Sequence, residues 1–295
     1  MTFTLTIDLE DPSGLHRPDG RYVAMTKRIL DLCAETNRKA TFFTVGRIAQ
    51  GAPDLIRMIA AQGHEIAYHA HNHVHLPRET PARFKQESAE DKDRLEQLAG
   101  KSVLGFRAPA FSLTPQTLWA LDILGELGFL YSSSVKPIEV TRYAFPGISL
   151  TPFRWPNGMV EFPLPVATLG THRIPYLGGI YLYTLPFSFV RWLLDKKTPK
   201  DQILWTYAHP YDFDREELLP RIQDTPLWAT LILRLGRARA EKQIRRVLAL
   251  GDAPPLGERA RHFRTREEIT APDFRTNSAA KTPSPTRGSE GGRAG

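Results

Sequence analysis

The sequence predicts an α/β chain built as a parallel β/α barrel, and three observations carry that expectation. Short apolar runs alternate with helical periodicities at about 25–35 residues per unit, the pattern of stacked βα units on a parallel sheet. The polar residues that stand out, Asp8, His69, Arg107, Ser132 and His209, each fall just after one of these runs; in a parallel barrel that end of the strands carries the site. Finally, 295 residues with 41% hydrophobic content suffice to bury one large core.

The elements follow in order. Phe3 to Ile7 alternates with threonine and reads as a strand, closed by the acidic cluster Asp8, Glu10 and Asp11. Residues 22–36 have helical periodicity, and Ala40 to Val45 is a short buried strand. Residues 54–62 form a second helix, with Gly63 as its C-cap. Glu65 to Tyr68 is a strand followed by a histidine cluster, and residues 80–98 are a polar amphipathic helix. Val103 to Phe106 is a strand followed by Arg107, and residues 115–127 are a helix opened by Thr114-Pro115. Leu130-Tyr131 opens another strand; residues 203–208 form a late one, before His209. Between about 140 and 200 the chain is irregular and rich in proline and aromatics, and reads as an elaborated loop region over the barrel mouth. The expected division is a barrel over 1–250, ending in a C-terminal helical segment, and a basic, disordered tail over 251–295 whose last residues hold almost no apolar side chain.

Composition removes several function classes. A single cysteine, Cys33, excludes a disulfide framework, a cysteine zinc finger and a CxxC redox pair. No run approaches the roughly 18 apolar residues of a membrane span. The opening MTFTLTIDLED has neither a basic nor an apolar leader region, so a cytoplasmic location is expected. The net charge of +7 sits entirely in the C-terminal quarter: residues 1–220 hold 24 basic and 24 acidic residues, and 221–295 hold 15 and 8. The body therefore offers no bulk electrostatic case for nucleic acid. Residues 226–250 combine Leu227, Trp228, Leu231, Ile232 and Leu235 with Arg234, Arg237, Arg239, Arg245 and Arg246. That pattern suits either a helix packed on the barrel with solvated arginines or a weak, peripheral contact with an anionic membrane face. The sequence does not speak to oligomeric state.

Four constellations carry chemistry. GHEIAYHAHNHVHL places His64, His69, His71, His73 and His75, five of the nine histidines, within twelve residues, and a metal site is the better reading of so dense a group. His69 and His73 are four apart, which on a helical turn sets both imidazoles on one face, whereas His71 points away. The carboxylates of TIDLED can bind a metal or act as a base. Arg107, in GFRAPAF, needs an anionic partner because burying it alone is costly, and a clamp on a carboxylate is one such role. His209, in WTYAHPYDFD, is a candidate acid by its place at a strand end.

In that order, TIDLED, ATFFTVG, GHEIAYHAHNH, GFRAPAFSLT, LYSSSVKP and YAHPYD resemble the NodB-type polysaccharide deacetylases, carbohydrate esterase family 4, over roughly residues 3–215. VEFPLP, LGGIYLYTLPF and YAHPYDFD are most similar to the branch linked to exosortase-associated exopolysaccharide clusters. The resemblance implies a distorted (β/α)7 barrel and metal-dependent removal of N-acetyl groups from a glycan. It implies Asp8 as general base, His69 and His73 as metal ligands with Asp11 or Glu10 as the metal carboxylate, and Arg107 as the residue that positions the base. It further implies the Ala110 N–H as oxyanion donor and His209 as general acid. Zinc is the default metal for such a donor set, with cobalt or nickel also fitting. Two positions depart from the family. Ser132 stands where many members have an aspartate that orients the acid histidine, leaving Asp212 or Glu161 as substitutes, and Tyr183 stands where relatives often have arginine in contact with substrate. The alternatives are a small cyclic-amide hydrolase of the allantoinase type and a silent barrel that only binds glycan.

Overall fold

The computed structural model describes residues 1–139, 143–216 and 227–263, with the helix backbone alone at 227–230 and 232–234. The chain opens with β1 (Phe3–Leu9), α1 (Arg21–Glu35), β2 (Ala40–Thr44), α2 (Gly46–Gly51), α3 (Pro53–Ala61) and β3 (Glu65–Tyr68). It continues with α4 (Pro81–Ala99), β4 (Gly105–Phe106), α5 (Trp119–Glu126), β5 (Tyr131–Ser132), β6 (Phe153–Arg154) and β7 (Val160–Glu161). A hairpin of β8 (Val166–Leu169) and β9 (His172–Pro175) precedes α6 (Gly179–Thr184), α7 (Phe187–Lys197), β10 (Leu204–Ala208), α8 (Leu227–Leu248) and α9 (Leu256–Arg261).

Eight strands form one sheet in the order β10-β1-β2-β3-β4-β5-β7-β6. All neighbours pair in parallel except the edge strand β6, which runs antiparallel to β7. The parallel strands are thus those of a distorted (β/α)7 barrel, as the sequence implied. The side-chain alternation of β1 sets up the site: Phe3, Leu5, Ile7 and Leu9 join the core under the helices, while Thr4, Thr6 and Asp8 face the enclosed space. A second cluster, Phe43, Ala67, Tyr131, Val160 and Trp205 with Leu256 and Ala260 of α9, fills that space.

Three expectations need correction. The segment from 140 to 200 is not only loop: it supplies the seventh parallel strand, a hairpin and two helices. The paired part of that strand is two residues long, too short for any periodicity to register. The ordered body does not stop at 250, because Leu256 and Ala260 of α9 are buried beneath the strands; the expected tail beyond 263 lies outside the described residues. The C-terminal half of α8 packs on the barrel through Ala240, Ile244, Val247 and Leu248. Its arginines are in part engaged there: Arg237 donates to the Tyr211 carbonyl at 3.2 Å, and Arg245 pairs with Glu35 at 2.7 Å. Leu231 and Leu235 are exposed, while the side chains of Leu227, Trp228, Ile232 and Arg234 lie outside the described residues.

Candidate active site

The C-terminal ends of β1, β3, β4 and β10 converge on one cluster. Glu10, His69 and His73 bring one ligand atom each within 4.8 Å of one another. The His73 Nε2 to Glu10 Oε2 distance is 2.6 Å. His69 Nδ1 lies 2.7 Å from the Arg107 carbonyl, which only accepts, so Nδ1 carries the proton and Nε2 keeps its lone pair for the cluster. Burial lowers the His69 pKa to about 4, against the opposing pull of Asp8 and Glu10, so its ring is neutral, the form a metal requires. For Glu10, burial alone would raise the pKa; the facing His73 and His209 outweigh it and hold the carboxyl ionised well below its ordinary range. Two neutral-capable imidazoles and one carboxylate are a chemically suitable donor set for a divalent metal.

The sequence left Glu10 and Asp11 open as the carboxylate. Glu10 is in the cluster; Asp11 is turned into its own loop, where it accepts from Ser13 N and Oγ and from His16 N. The histidine pair also differs from expectation in local form. Residues 69–75 are an irregular loop rather than a helical turn, and Ala70 (φ 61) and His73 (φ 56) adopt the left-handed region. His71 does point away, donating to the buried Asp91 at 2.9 Å. His64 accepts from Ala40 N at 3.1 Å, and His75 meets Tyr143 Oη at 2.8 Å.

Asp8 and Arg107 form the second part. Arg107 is fully buried and donates through Nη1 to Asp8 Oδ1 at 2.5 Å and to Thr6 Oγ1 at 2.9 Å. Nε and Nη2 bind the Ser133 carbonyl and hydroxyl, and the guanidinium lies 4.0 Å from the Phe43 ring and 4.4 Å from Trp205. Burial lowers the Arg107 pKa, and the Asp8 charge opposes the shift. Four hydrogen bonds and two ring faces fix one guanidinium, which in turn fixes one carboxylate oxygen. The loop after Arg107 is tied down by Ala108 N donating to Ser134 Oγ at 2.9 Å, and it carries the exposed Ala110 at φ 53, ψ 23, next to Phe111 at φ 53. Non-glycine residues in the left-handed region cost of order 1–3 kcal/mol each.

His209 completes the cluster. Its Nε2 lies 3.6 Å from Glu10 Oε1 and 4.0 Å from Asp8 Oδ2, and its ring stacks on Tyr211 at 4.5 Å. Its Nδ1 and its backbone N–H both meet Asp212 Oδ2, at 3.0 and 2.8 Å. Burial would lower its pKa; the charge and hydrogen bond of Asp212, with Glu10 and Asp8, raise it to about 9.

Between the two candidates for the missing fourth-motif aspartate, the geometry separates Asp212 from Glu161. Glu161 accepts from the backbone N–H of Ser134 and Val135 and from Trp155 Nε1, pinning the loop after β5. Ser132 Oγ donates to Ser134 Oγ. The substrate contact expected at Tyr183 is corrected as well. Tyr183 is fully buried and donates to Asp212 Oδ2 at 2.7 Å, so it steadies the partner of His209 rather than touching a ligand. Tyr211 and this use of Tyr183 were missed in the sequence; the aromatic-rich YAHPY was the available signal.

Known proteins share parts of this sequence and its fold. Residues 9–129 match the polysaccharide deacetylase family, and residues 133–255 match a domain of unknown function, DUF3473. The chain is similar to a peptidoglycan-N-acetylglucosamine deacetylase of Bacillus cereus, 26% identical over 48% of this chain and 56% of the relative. It is also similar to a chitooligosaccharide deacetylase of Bradyrhizobium sp., 29% identical over 44% of this chain and 58% of the relative. The chain thus spans little more than half the length of these relatives. Among solved structures, the fold is shared with a Mycobacterium smegmatis protein designated a polysaccharide deacetylase (TM-score 0.57, 20% identity, 91% of this chain and 96% of that one). It is shared equally with Puue allantoinase (TM-score 0.55, 19% identity, 91% of each chain).

Proposed function

We propose that this protein is a metal-dependent hydrolase that removes N-acetyl groups from an amino-sugar-containing glycan, of the exopolysaccharide-associated kind that its sequence most resembles. The observation that carries this reading is the joint placement of Glu10, His69 and His73 beside an arginine-clamped Asp8 and an aspartate-backed His209. Glu10, His69 and His73 would hold the divalent ion, with zinc the default for this donor set and cobalt or nickel also fitting. The ion would supply Lewis-acid polarisation of the amide carbonyl and a water acidified toward neutral pH.

The chain's own residues account for the proton movements. Arg107 occupies Asp8 Oδ1, which leaves Oδ2, on the His209 side, to take a proton from the attacking water. With its pKa raised to about 9, His209 is cationic at neutral pH: Nδ1–H is committed to Asp212, and Nε2–H is the proton delivered to the leaving amine nitrogen. A free amine is a poor leaving group without that proton. The exposed loop at Ala110 would present its N–H to the oxygen that gains charge, a contribution commonly worth about 3–4 kcal/mol per donor. Acetate and a free amino sugar are the products.

The fold alone does not separate this reading from cyclic-amide hydrolysis, since an allantoinase shares it; the curated deacetylase relatives favour the glycan. The silent-barrel alternative rested on Ser132; the contact of Asp212 with His209 Nδ1 supports the catalytic reading over it. The test is acetate release by metal-analysed protein from defined N-acetylated oligosaccharides, with small cyclic amides assayed in parallel. Turnover of the cyclic amides alone, or of neither, overturns the proposal.

A further inference from the structure

Lys136 lies just beyond the C-terminal end of β5, two residues after Ser134, whose hydroxyl anchors the Ala108–Ala110 loop. It is half-buried, and its backbone carbonyl is held by the N–H groups of Ile138 and Phe145, both at 2.9 Å. Its ammonium sits 5.8 Å from the centre of the Tyr143 ring. The Tyr143 hydroxyl meets His75 Nδ1 at 2.8 Å, and the His75 ring lies 6.1 Å from the ring of His73. Lys136 is therefore flanked by the loop expected to supply the oxyanion donor and by the loop that carries the metal histidines.

Lys136 has no anionic partner among the described residues. Several cations withdrawn from solvent have one: Arg107 has Asp8 at 2.5 Å, Arg38 has Asp252 at 2.5 Å, Lys92 has Glu96 at 2.5 Å and Arg173 has Glu139 at 3.2 Å. Arg154 and Arg259, which have none, donate instead to carbonyl or hydroxyl oxygens. Among the described residues no carboxylate and no hydrogen-bond acceptor reaches the Lys136 ammonium. Its one partner is an aromatic face, a contact worth about 0.5–2 kcal/mol. Withdrawing an ammonium from water without a counter-charge is unfavourable, and burial pulls its pKa down to about 8. A charge kept under those conditions at the rim of a site is suited to an incoming anion.

We propose that Lys136 forms an anion-recognising subsite, receiving a carboxylate or phosphate carried by the glycan next to the sugar presented to His69 and His73. This names a substrate class, an acidic glycan, and it rests on the deacetylase reading of the site.

The test measures binding to the full chain carrying Asp8→Asn, so that turnover does not intervene, and to the same chain with Lys136→Met added. The probes are a neutral N-acetylglucosamine oligosaccharide, the same oligosaccharide carrying a glucuronate unit, and one carrying a phosphate monoester. At least one acidic probe is expected to bind about tenfold tighter than the neutral one, and Lys136→Met to bring that ratio close to one. Lys136→Arg, the charge-retaining variant, should preserve the ratio and guards against a packing effect of methionine. Whichever acidic probe shows the preference identifies the anion. An absence of preference for either acidic probe, or a ratio untouched by Lys136→Met, overturns the subsite. Acetate release by the wild-type chain is scored separately: discrimination without acetate release leaves the subsite standing and removes the deacetylase reading.

Discussion

Two half-buried carboxylates, Glu65 at the bottom of the barrel and Glu10 at its mouth, lie in the same fold and behave in opposite ways. Glu65 is saturated by its own protein: it accepts from Thr41 Oγ1 at 2.6 Å, Gly257 N at 2.9 Å and Tyr131 Oη at 2.9 Å. Burial raises its pKa, with these donors opposing. Glu10 instead faces histidine nitrogens, and they hold it ionised against its own burial. The surrounding backbone differs too. Ala70, His73, Ala110 and Phe111, four of the six non-glycine residues at positive φ among the described residues, sit in the two loops at the mouth. A polar cluster that closes on itself over relaxed backbone is structural; one that keeps lone pairs aimed at a common point over strained backbone is built to receive something.

The sharpest way to break this comparison is to remove ligands from each end. The His69→Ala/His73→Ala double variant is expected to reduce bound divalent metal from about one per chain to near zero, and acetate release to background. Glu65→Ala should leave the metal content unchanged and lower unfolding stability by about 1–3 kcal/mol, from the donors left unpaired. Equal metal in the wild type and the double variant would remove the metal site. Asp8→Asn comes next: activity should fall by about 10²–10⁴-fold with the metal retained, because base and ligand are different residues. Loss of metal in that variant would make Asp8 a ligand.

Ser132→Asp sharpens the contrast between sequence position and geometry. By motif alone it restores the missing family aspartate. In the structure it places a second carboxylate beside Glu161, which Ser132 hydrogen-bonds, in a fully buried pocket. We expect a loss of about 3–5 kcal/mol in the denaturant midpoint analysis, the usual cost of an uncompensated buried charge, and no gain in activity. Asp212→Asn should act more mildly, on chemistry rather than on folding. Asp212 is the largest favourable influence that keeps the His209 pKa raised to about 9 against burial, so its neutralisation lowers that pKa. The protonated acid is then lost at lower pH: the basic limb of the kcat profile should move down, with kcat falling about 10²-fold. An unmoved basic limb would show that another group is the acid.

The parts of the molecule that were legible in the sequence are those with long periods or dense chemistry. Strands β1 and β2, with every residue buried, are continuous enough to register, as are helices α1, α3 and α4. Asp8, His69, Arg107 and His209 stood out in the sequence because each lies at a strand end, and His73 because it is four residues from His69 in a dense histidine group. The choice of Glu10 over Asp11 was not, since adjacent carboxylates differ only in which way a loop turns, and here Ser13 and His16 turn Asp11 away. Asp212 was legible only as an alternative to Glu161. Its contact with His209 depends on the 3₁₀ turn at Pro210–Phe213, which leaves residue 212 folded back under residue 209. Strand β7 was hidden by its length, and α7 by the proline-rich flanks that made its surroundings read as loop.

The smallest effect is absent at neutral pH and appears only on acidification. His64, unlike its neighbours at the mouth, is a structural histidine: its Nδ1 accepts the Ala40 N–H at 3.1 Å and its ring packs edge-on to Phe42 at 5.4 Å. A ring that must accept there is neutral, and burial, aided by Lys39, lowers its pKa to about 4. The unfolded chain takes up the proton near pH 6.5, while the folded chain resists it until about 4. Stability is therefore complete above pH 6.5 and falls as pH drops toward 4, by at most about 1.4 kcal/mol per pH unit for this one group. His69 titrates with the same sign, so the wild-type curve alone does not isolate His64. The informative quantity is the difference between metal-free wild type and metal-free His64→Asn, whose side-chain carbonyl can replace Nδ1 as acceptor without titrating. That difference should widen in favour of the variant between pH 6.5 and 4 and be flat above 6.5. Parallel curves across the whole range would show that His64 takes up its proton equally in the folded and unfolded chain.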